Sequence, residues 1–577
     1  MKKVLLVVVL VVLVLVAFLI RPNKSDNSVY SVLPANLLMS CNMADLNGEI
    51  DFINSFGFCE GDVLAPVFEE CDDNERMVVE LMLDVLGDDF VLAYKKGKLE
   101  EKVAADEEIV IQDVLENIIM ASKPAKQVSV SFIESTLSSF VEGTVVTEYG
   151  NTTINTVGFK DCEEPVFMSY CIVDGIVVAT FSLETLQQSI DLATGKVKDN
   201  FTQTKLYTKL MDGAKESDVF AMAVNMADFM DSYIGTLDAL VSSEMMEDQN
   251  DSVEGLQNQM DVFKDMYDGL GYSVGYIGRT DTEFYTRSCG DFDKKKLNDF
   301  YKSIFAADNS VSDMTKFHVK DPVIAYAVNI GLQEYISLML ETLPEEQVAE
   351  VKSSFEDETN VDFDTLVGCM GNGISFGMDE FEYTTMIPNV SFRMMVGLSS
   401  KHDELMPTLE TISAMSPMPL NKKNIADTEV MCAGIPMTVL EPGFAVKNDK
   451  LLFATSLDVM SELIKGVKAD KSLASNVKFN EFVGNDDLFG WYYVDISKVI
   501  DAASNMYGMF KPMMADKIPE ELAGNEIEDA LARAKMFQQL YMKAYTKGSE
   551  YYSESIITYD KDYEPIIEEV EVIGIKQ

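Results

Sequence analysis

The sequence predicts an α+β protein: a tandem duplication of a large, mainly antiparallel sheet with helices packed on one face, plus an N-terminal transmembrane helix. Three observations predict it. One strand-to-helix stretch is written twice, several blocks recur in the same order through both halves, and residues 4–20 are uninterruptedly apolar. The division that follows is a signal anchor or transmembrane helix over 1–21, a tether over 22–30, a first α+β unit over 31–295, a linker over 296–315 and a second unit over 316–577.

The anchor comes first. Lys2 and Lys3 precede seventeen apolar residues, and Arg21-Pro22 closes the run. That is the short end for a spanning helix and slightly long for a signal-peptide core. The run ends in bulky Phe18-Leu19-Ile20-Arg21 with no small-x-small pair and no lipoprotein cysteine, so an uncleaved anchor is favoured over a cleaved signal. Flanking lysines and arginines are balanced, which leaves the positive-inside signal weak. The acidic bulk of the chain is expected to be exported across the inner (cytoplasmic) membrane, single-pass, with the fold extracytoplasmic or periplasmic.

The polar residues 22–30 then lead into the first unit. Its expected strands lie at 37–42, 90–94, 108–111, 127–132, 144–148 and 152–159, with helices at 46–56 and 74–86. The duplicated stretch follows at 173–192, "VDGIVVATFSLETLQQSIDL", and returns at 447–466 as "KNDKLLFATSLDVMSELIKG". An Asp-containing turn leads into an apolar run, then Ala-Thr, then Ser-Leu and an acidic residue. β-branched Ile176-Val177-Val178 suits a strand. Ser182 and Ser456 stand at N-cap positions, with Glu184 and Asp458 in the first turn. Matching the Ala-Thr pairs aligns Asp174 with Asp449 and Val177 with Leu452, and needs a one-residue indel before the serines. Flanking blocks agree: 32–46 with 319–333, 86–94 with 370–378, 217–232 with 486–502, and 271–288 with 544–561.

Composition limits the partners. The formal charge of −50 repels nucleic acid and anionic lipid alike. Apolar residues at 47% supply a core for each unit and exclude a disordered class. Of eight cysteines, Cys162 and Cys171 flank an expected hairpin and Cys59 and Cys71 flank an acidic loop, so disulfides are allowed on an exported chain. Cys41, Cys171 and Cys432 also stand inside apolar runs, where a reduced buried cysteine is equally ordinary.

The chemistry offered is sparse. Gly373-Ile374-Ser375-Phe376-Gly377 spells the G-x-S-x-G of a nucleophile elbow, but it reads as a strand, not a strand-to-helix turn. His402 follows twenty-seven residues later, which leaves little room for an acid between them. Only one other histidine exists, His318. Acidic groups near Asp88, Glu163, Asn485 and Asp560 offer carboxylates to divalent cations without a specific geometry, and "DQNDSVEG" from Asp248 has Val253 where a calcium loop needs glycine. If the second unit has a binding face, its aromatic strand around Trp491 is where to look. No catalytic, cofactor-binding or metal residue is assigned, and no cofactor is expected.

Pro34 with Asn36, residues 174–186, Pro322 and residues 449–460 together resemble uncharacterised bacterial membrane-anchored envelope proteins built on a domain of unknown function. The resemblance implies a membrane-anchored, extracytoplasmic protein and no particular substrate. The function expected is therefore a non-enzymatic, membrane-anchored binding or scaffolding protein of the cell envelope. Its partners would be the membrane, through the N-terminal helix, and another envelope protein or polymer. The alternatives are a serine hydrolase using Ser375 and a calcium-dependent adhesion module. Carboxylates packed at this density repel one another, so added salt raises the melting temperature by screening. A melting point unchanged between low and moderate ionic strength would show the charge too dilute to matter.

Overall fold

The computed structural model describes residues 28–43, 89–96, 102, 111–123, 141–159, 165–242, 260, 262, 264, 266–306, 311–382, 389–414, 420–435, 440–484, 486–514 and 526–563. Two compact units divide the chain, and strand Glu283–Phe292 is split between them: 288–292 counts with the first unit and 280–287 with the second.

The first unit holds β1 (Leu37–Met43), β2 (Asp89–Lys95), β3 (Ile118–Lys123), β4 (Val141–Tyr149), β5 (Thr152–Phe159), β6 (Phe167–Val173), β7 (Ile176–Thr180), β8 (Asp218–Asn225), β9 (Leu270–Arg279) and part of β10 (Glu283–Phe292). Pairing runs 4-5-6-7-3-2-1-8-9-10. The second unit holds β11 (Ile324–Gly331), β12 (Met370–Glu382), β13 (Asn389–Leu398), β14 (Asn421–Ile425), β15 (Thr428–Cys432), β16 (Gly443–Lys447), β17 (Lys450–Ala454), β18 (Leu488–Asp495), β19 (Phe537–Lys547) and β20 (Glu550–Tyr559). Its order is 14-15-16-17-13-12-11-18-19-20.

The duplicated stretch folds as a hairpin and a helix in each unit. In the first, Val173 faces Ile176 across Asp174-Gly175; in the second, Lys447 faces Lys450 across Asn448-Asp449. All four loop residues have positive φ, the backbone a two-residue hairpin with the right twist requires. Ser182 then caps helix Leu183–Ala193 through Thr185 N at 3.3 Å, and Ser456 caps Leu457–Lys465 through Val459 N at 3.3 Å. Counting from the hairpins, Val178 matches Leu452 and both serines fall in register with no insertion. The Ala-Thr match, which paired Val177 with Leu452, is one residue out. A slip of one turns every side chain to the other face of a sheet.

The expected fold class needs correction on three points. First, the twenty strands belong to one antiparallel sheet, not to a tandem pair of separate sheets. Ten-residue β20 would otherwise be a long bare edge. Instead, within the second unit, Tyr559 N bonds Thr282 O at 2.9 Å, the Tyr559 hydroxyl donates to Thr280 O at 2.6 Å, and the Phe284 ring packs on Tyr559.

Second, helices do not keep to one face. All five residues of β7 are buried. Val178 packs with Leu186 and Ile190 of the following helix, while its pleat neighbours Val177 and Ala179 are buried on the opposite side. In β17, Leu452 joins Met460, Leu463 and Phe479, whereas Leu451 joins Cys369 and Leu405 in a second core. A continuous apolar run marks a strand covered on both faces. Third, among the described residues no helix is long and apolar enough to cross a membrane, and the expected anchor at 4–20 lies outside them.

Other expectations are revised locally. Residues 111–115 form a short helix (Ile111–Leu115), not the end of a strand, and β3 (Ile118–Lys123) is a strand that the sequence did not lead one to expect. The helices expected at 46–56 and 74–86, and the segment 127–132, lie outside the described residues. Cys171 is a free thiol in β6, and Cys59, Cys71 and Cys162 lie outside the described residues.

Because Leu452 is buried in a packed cluster, Leu452→Ala should destabilise by about 2–5 kcal/mol. Ser456→Ala, removing only the cap, should cost about 1 kcal/mol. Urea unfolding of the two variants measures both; equal costs would show that the strand is not the packed element described.

Candidate functional site

A buried polar cluster of the second unit lies where β11, β12 and β13 meet the turn Ser312–Phe317. Pairing sets Ser375 of β12 opposite Ala327 of β11 and Met395 of β13, with Gly377 opposite Arg393. His318 ends the turn just before β11, and its carbonyl accepts from Leu473 N at 3.0 Å. Both His318 and Ser375 are fully buried.

His318 Nε2 lies 2.6 Å from Ser375 Oγ, and Ser375 Oγ donates to the Tyr326 carbonyl at 3.1 Å. A hydroxyl has one proton. With that proton on Tyr326 O, Nε2 must be the donor to Oγ, which leaves Nδ1 bare. Nδ1 is buried and has no hydrogen-bond partner. Burial first, and the Arg393 charge second, pull the imidazole down to about 3, so the ring is neutral. A nearby cation also favours a bare lone pair over an N–H at Nδ1. Trp491 meets the ring edge-on at 5.5 Å and donates its own N–H to Val311 O at 3.0 Å.

Arg393 is the other half of the cluster, only 1% exposed. Its Nε donates to Asp379 Oδ2 at 3.0 Å, Nη2 bonds the same oxygen, Nη2 reaches Glu462 at 2.9 Å and Nη1 donates to Phe317 O at 2.9 Å. Burial pushes the Asp379 carboxyl up, and the Arg393 charge pulls it only part of the way back. Such a charge persists in a core only when it is paired in this way.

A base that activates a serine must accept its proton; with the Ser375 proton on Tyr326 O, the imidazole is left to donate instead. No carboxylate bonds Nδ1 to orient the ring, and Ser375 sits within a strand with no elbow. The motif glycines have structural reasons. Gly373 has φ +89°, and a Cβ at Gly377 would lie 2.3 Å from His318 Nδ1. The histidine that the sequence set beside Ser375, His402, belongs elsewhere: its Nδ1 is 2.9 Å from Ser399 O and its Nε2 3.4 Å from Asp449.

Other candidates resolve similarly. Trp491 is buried in the core, so the aromatic strand does not offer it as a binding face. Asp486 pairs with Lys543 at 3.4 Å, and Asp560 accepts from Asp562 N. Asp88, Glu163, Asn485 and 248–252 lie outside the described residues, and no group of three His, Cys, Asp or Glu able to hold a metal occurs among those described. Sequence reasoning missed Arg393, although an arginine inside the apolar run "VSFRMMVG" is itself a signal of a buried pair.

No family model and no curated protein matches this chain. Crystal form I of TP0453 is similar at 7% identity and a TM-score of 0.25, covering 48% of this chain and 83% of that one.

The buried imidazole generates a pH prediction. Unfolded, His318 titrates near 6.5; folded, it does so at about 3. Between these values only the unfolded chain takes the proton. Stability is therefore full above about 6.5 and is lost as pH falls toward 3, by up to about 1.4 kcal/mol per pH unit. Asp379, shifted upward, acts in the opposite sense, with its contribution present at low pH and lost as pH rises. The difference between wild type and His318→Gln isolates the histidine. Urea midpoints should fall less steeply for His318→Gln from pH 6.5 to 4.5; parallel curves would exclude a buried neutral imidazole.

Proposed function

We propose that the chain is a non-enzymatic binding or scaffolding protein of the cell envelope, anchored in the cytoplasmic membrane by residues 4–20 with its bulk on the extracytoplasmic side. The observation that carries the non-enzymatic part is the closed His318–Ser375 pair. The one catalytic motif spelled in the sequence has its serine proton engaged by Tyr326 O and its imidazole held neutral in the core. The anchor rests on the sequence: seventeen apolar residues closed by Arg21-Pro22, without a signal-cleavage pattern. A formal charge of −50 favours protein or polymer partners over nucleic acid.

Two measurements test the reading. A fluorophosphonate probe should leave the native protein unlabelled; labelling that disappears in Ser375→Ala would establish the hydrolase instead. Full-length protein should sediment with membranes and resist extraction by high salt or alkali, while a chain lacking residues 1–26 should be soluble and folded. A native N-terminus found near Pro22 would replace the anchor with a cleaved signal. A calcium-dependent rise in melting temperature would favour an adhesion module.

A further inference from the structure

The duplication supplies an internal comparison for the buried polar cluster. With Val178 matched to Leu452, the ladders β7–β3 and β17–β13 match Ala121 to Met395, and the ladders β3–β2 and β13–β12 match Val91 to Ser375. Two residues along each strand, Ala93 matches Gly377 and Ile119 matches Arg393. The residue that leads into the first strand is fixed independently. Leu33 O accepts from Phe201 N at 2.9 Å and His318 O from Leu473 N at 3.0 Å, and the next residues form the bridges Pro34–Asn200 and Val319–Ser472. Leu33 therefore stands where His318 does.

Where the second unit holds His318, Ser375 and Arg393, the first holds Leu33, Val91 and Ile119, all fully buried in one apolar core. The shared fold therefore does not require the polar set, and apolar replacements of buried ion pairs are often no less stable. The two sets are also mutually exclusive. A Cβ at Gly377 would lie 2.3 Å from His318 Nδ1, and the first unit has Ala93 at that position. Following the pairs Val91–Asn42–Ala221 and Ser375–Ala327–Trp491, the indole that meets His318 edge-on is matched by an alanine. Two residues beyond Ala93 and Gly377, Lys95 holds the position of Asp379, so an arginine in the place of Ile119 would lose its carboxylate.

We propose that the cluster identifies the second unit to its own strands, keeping β1 and β11, with the residues that lead into them, from exchanging places as the chain folds. Homologous units joined in one chain characteristically misassemble by swapping elements. These two share strand order, hairpins and capped helices, so backbone pairing alone gives β12 no preference for β11 over β1. Side chains supply the preference. In the first unit, β11 would bring a buried His318 with Val91 in place of its serine partner and Ala93 against its ring. In the second, β1 would leave Ser375 without the imidazole and Gly377 with no ring beside it. Each buried polar group left without its partner disfavours the exchanged pairing by about tenfold. A buried polar group can fix one pairing among competitors in this way at a cost in stability.

The test refolds the full-length chain from urea in mild detergent. Cys41, a free thiol, pairs with Leu92 of β2, and the matching pair of the second unit is Tyr326 with Phe376. With Phe376→Cys as a reporter, oxidation after refolding joins positions 41 and 376 only where β1 has paired with β12, and peptide mass spectrometry reads that link. The reporter alone should show little of it. Adding His318→Leu, Ser375→Val, Gly377→Ala and Arg393→Ile, with Asp379→Asn so that no buried charge is left unpaired, should raise the link about tenfold and lower the yield of native monomer. Should that variant fail to fold, His318→Leu with Gly377→Ala leaves the Arg393 network in place and should raise the link in the same direction. A link no more abundant than in the reporter alone overturns the proposal, because the cluster then discriminates nothing. Failure of both variants to fold overturns it equally, because the cluster is then part of the fold itself.

Discussion

Burial of both faces of the central strands is the constraint on which the rest of this structure depends. Val177 and Val178 in β7, and Leu451 and Leu452 in β17, point to opposite sides and are buried on both. A sheet in that position cannot alternate apolar with polar residues, so its strands read as short continuous apolar runs. Each run must enter and leave its sheet position abruptly. The positive-φ hairpins before β7 and β17 do this on one side, and the serine-capped helices Leu183–Ala193 and Leu457–Lys465 on the other. The helices then return apolar residues to the face they have just left.

The same constraint explains the polar cluster. A hydroxyl, an imidazole and a guanidinium enclosed between such layers have no water to bond and must satisfy one another. Ser375 uses its proton on Tyr326 O, His318 donates to Ser375, and Arg393 is divided among Asp379, Glu462 and Phe317 O. The cluster keeps a cost, since His318 Nδ1 and Asp379 Oδ1 are buried without hydrogen bonds. Burial answers both in the same way, by favouring the neutral form: the imidazole's affinity for a proton falls and the carboxyl's rises. Ser375, placed by the β11–β12 pairing, thus ties β11 to the residue that precedes it through Tyr326 O and His318.

Legibility in the sequence followed the range of the interactions. Asp174-Gly175, the apolar runs and the two capping serines are local signals, and the elements they specify lie where the residues place them. The exact match between the two stretches was not legible, because Ala-Thr identity is a weaker guide than the hairpin closure that fixes the pleat. One-sided packing was the wrong expectation, and the lack of alternation in Ile176-Val177-Val178 already indicated cover on both faces. The site was the least legible part. Ser375 and His402 are close in sequence, yet the partner of Ser375 is His318, fifty-seven residues before it and joined to it only by the β11–β12 pairing. Likewise Arg393 finds Glu462 sixty-nine residues later.

Away from the doubly covered centre, the sheet has to meet solvent, and there charge takes over from packing. At β14 lysines held by glutamates make the edge polar along its length. At β20 the edge is covered by residues 280–287 of the same unit, with Tyr559 and Phe284 packed ring against ring.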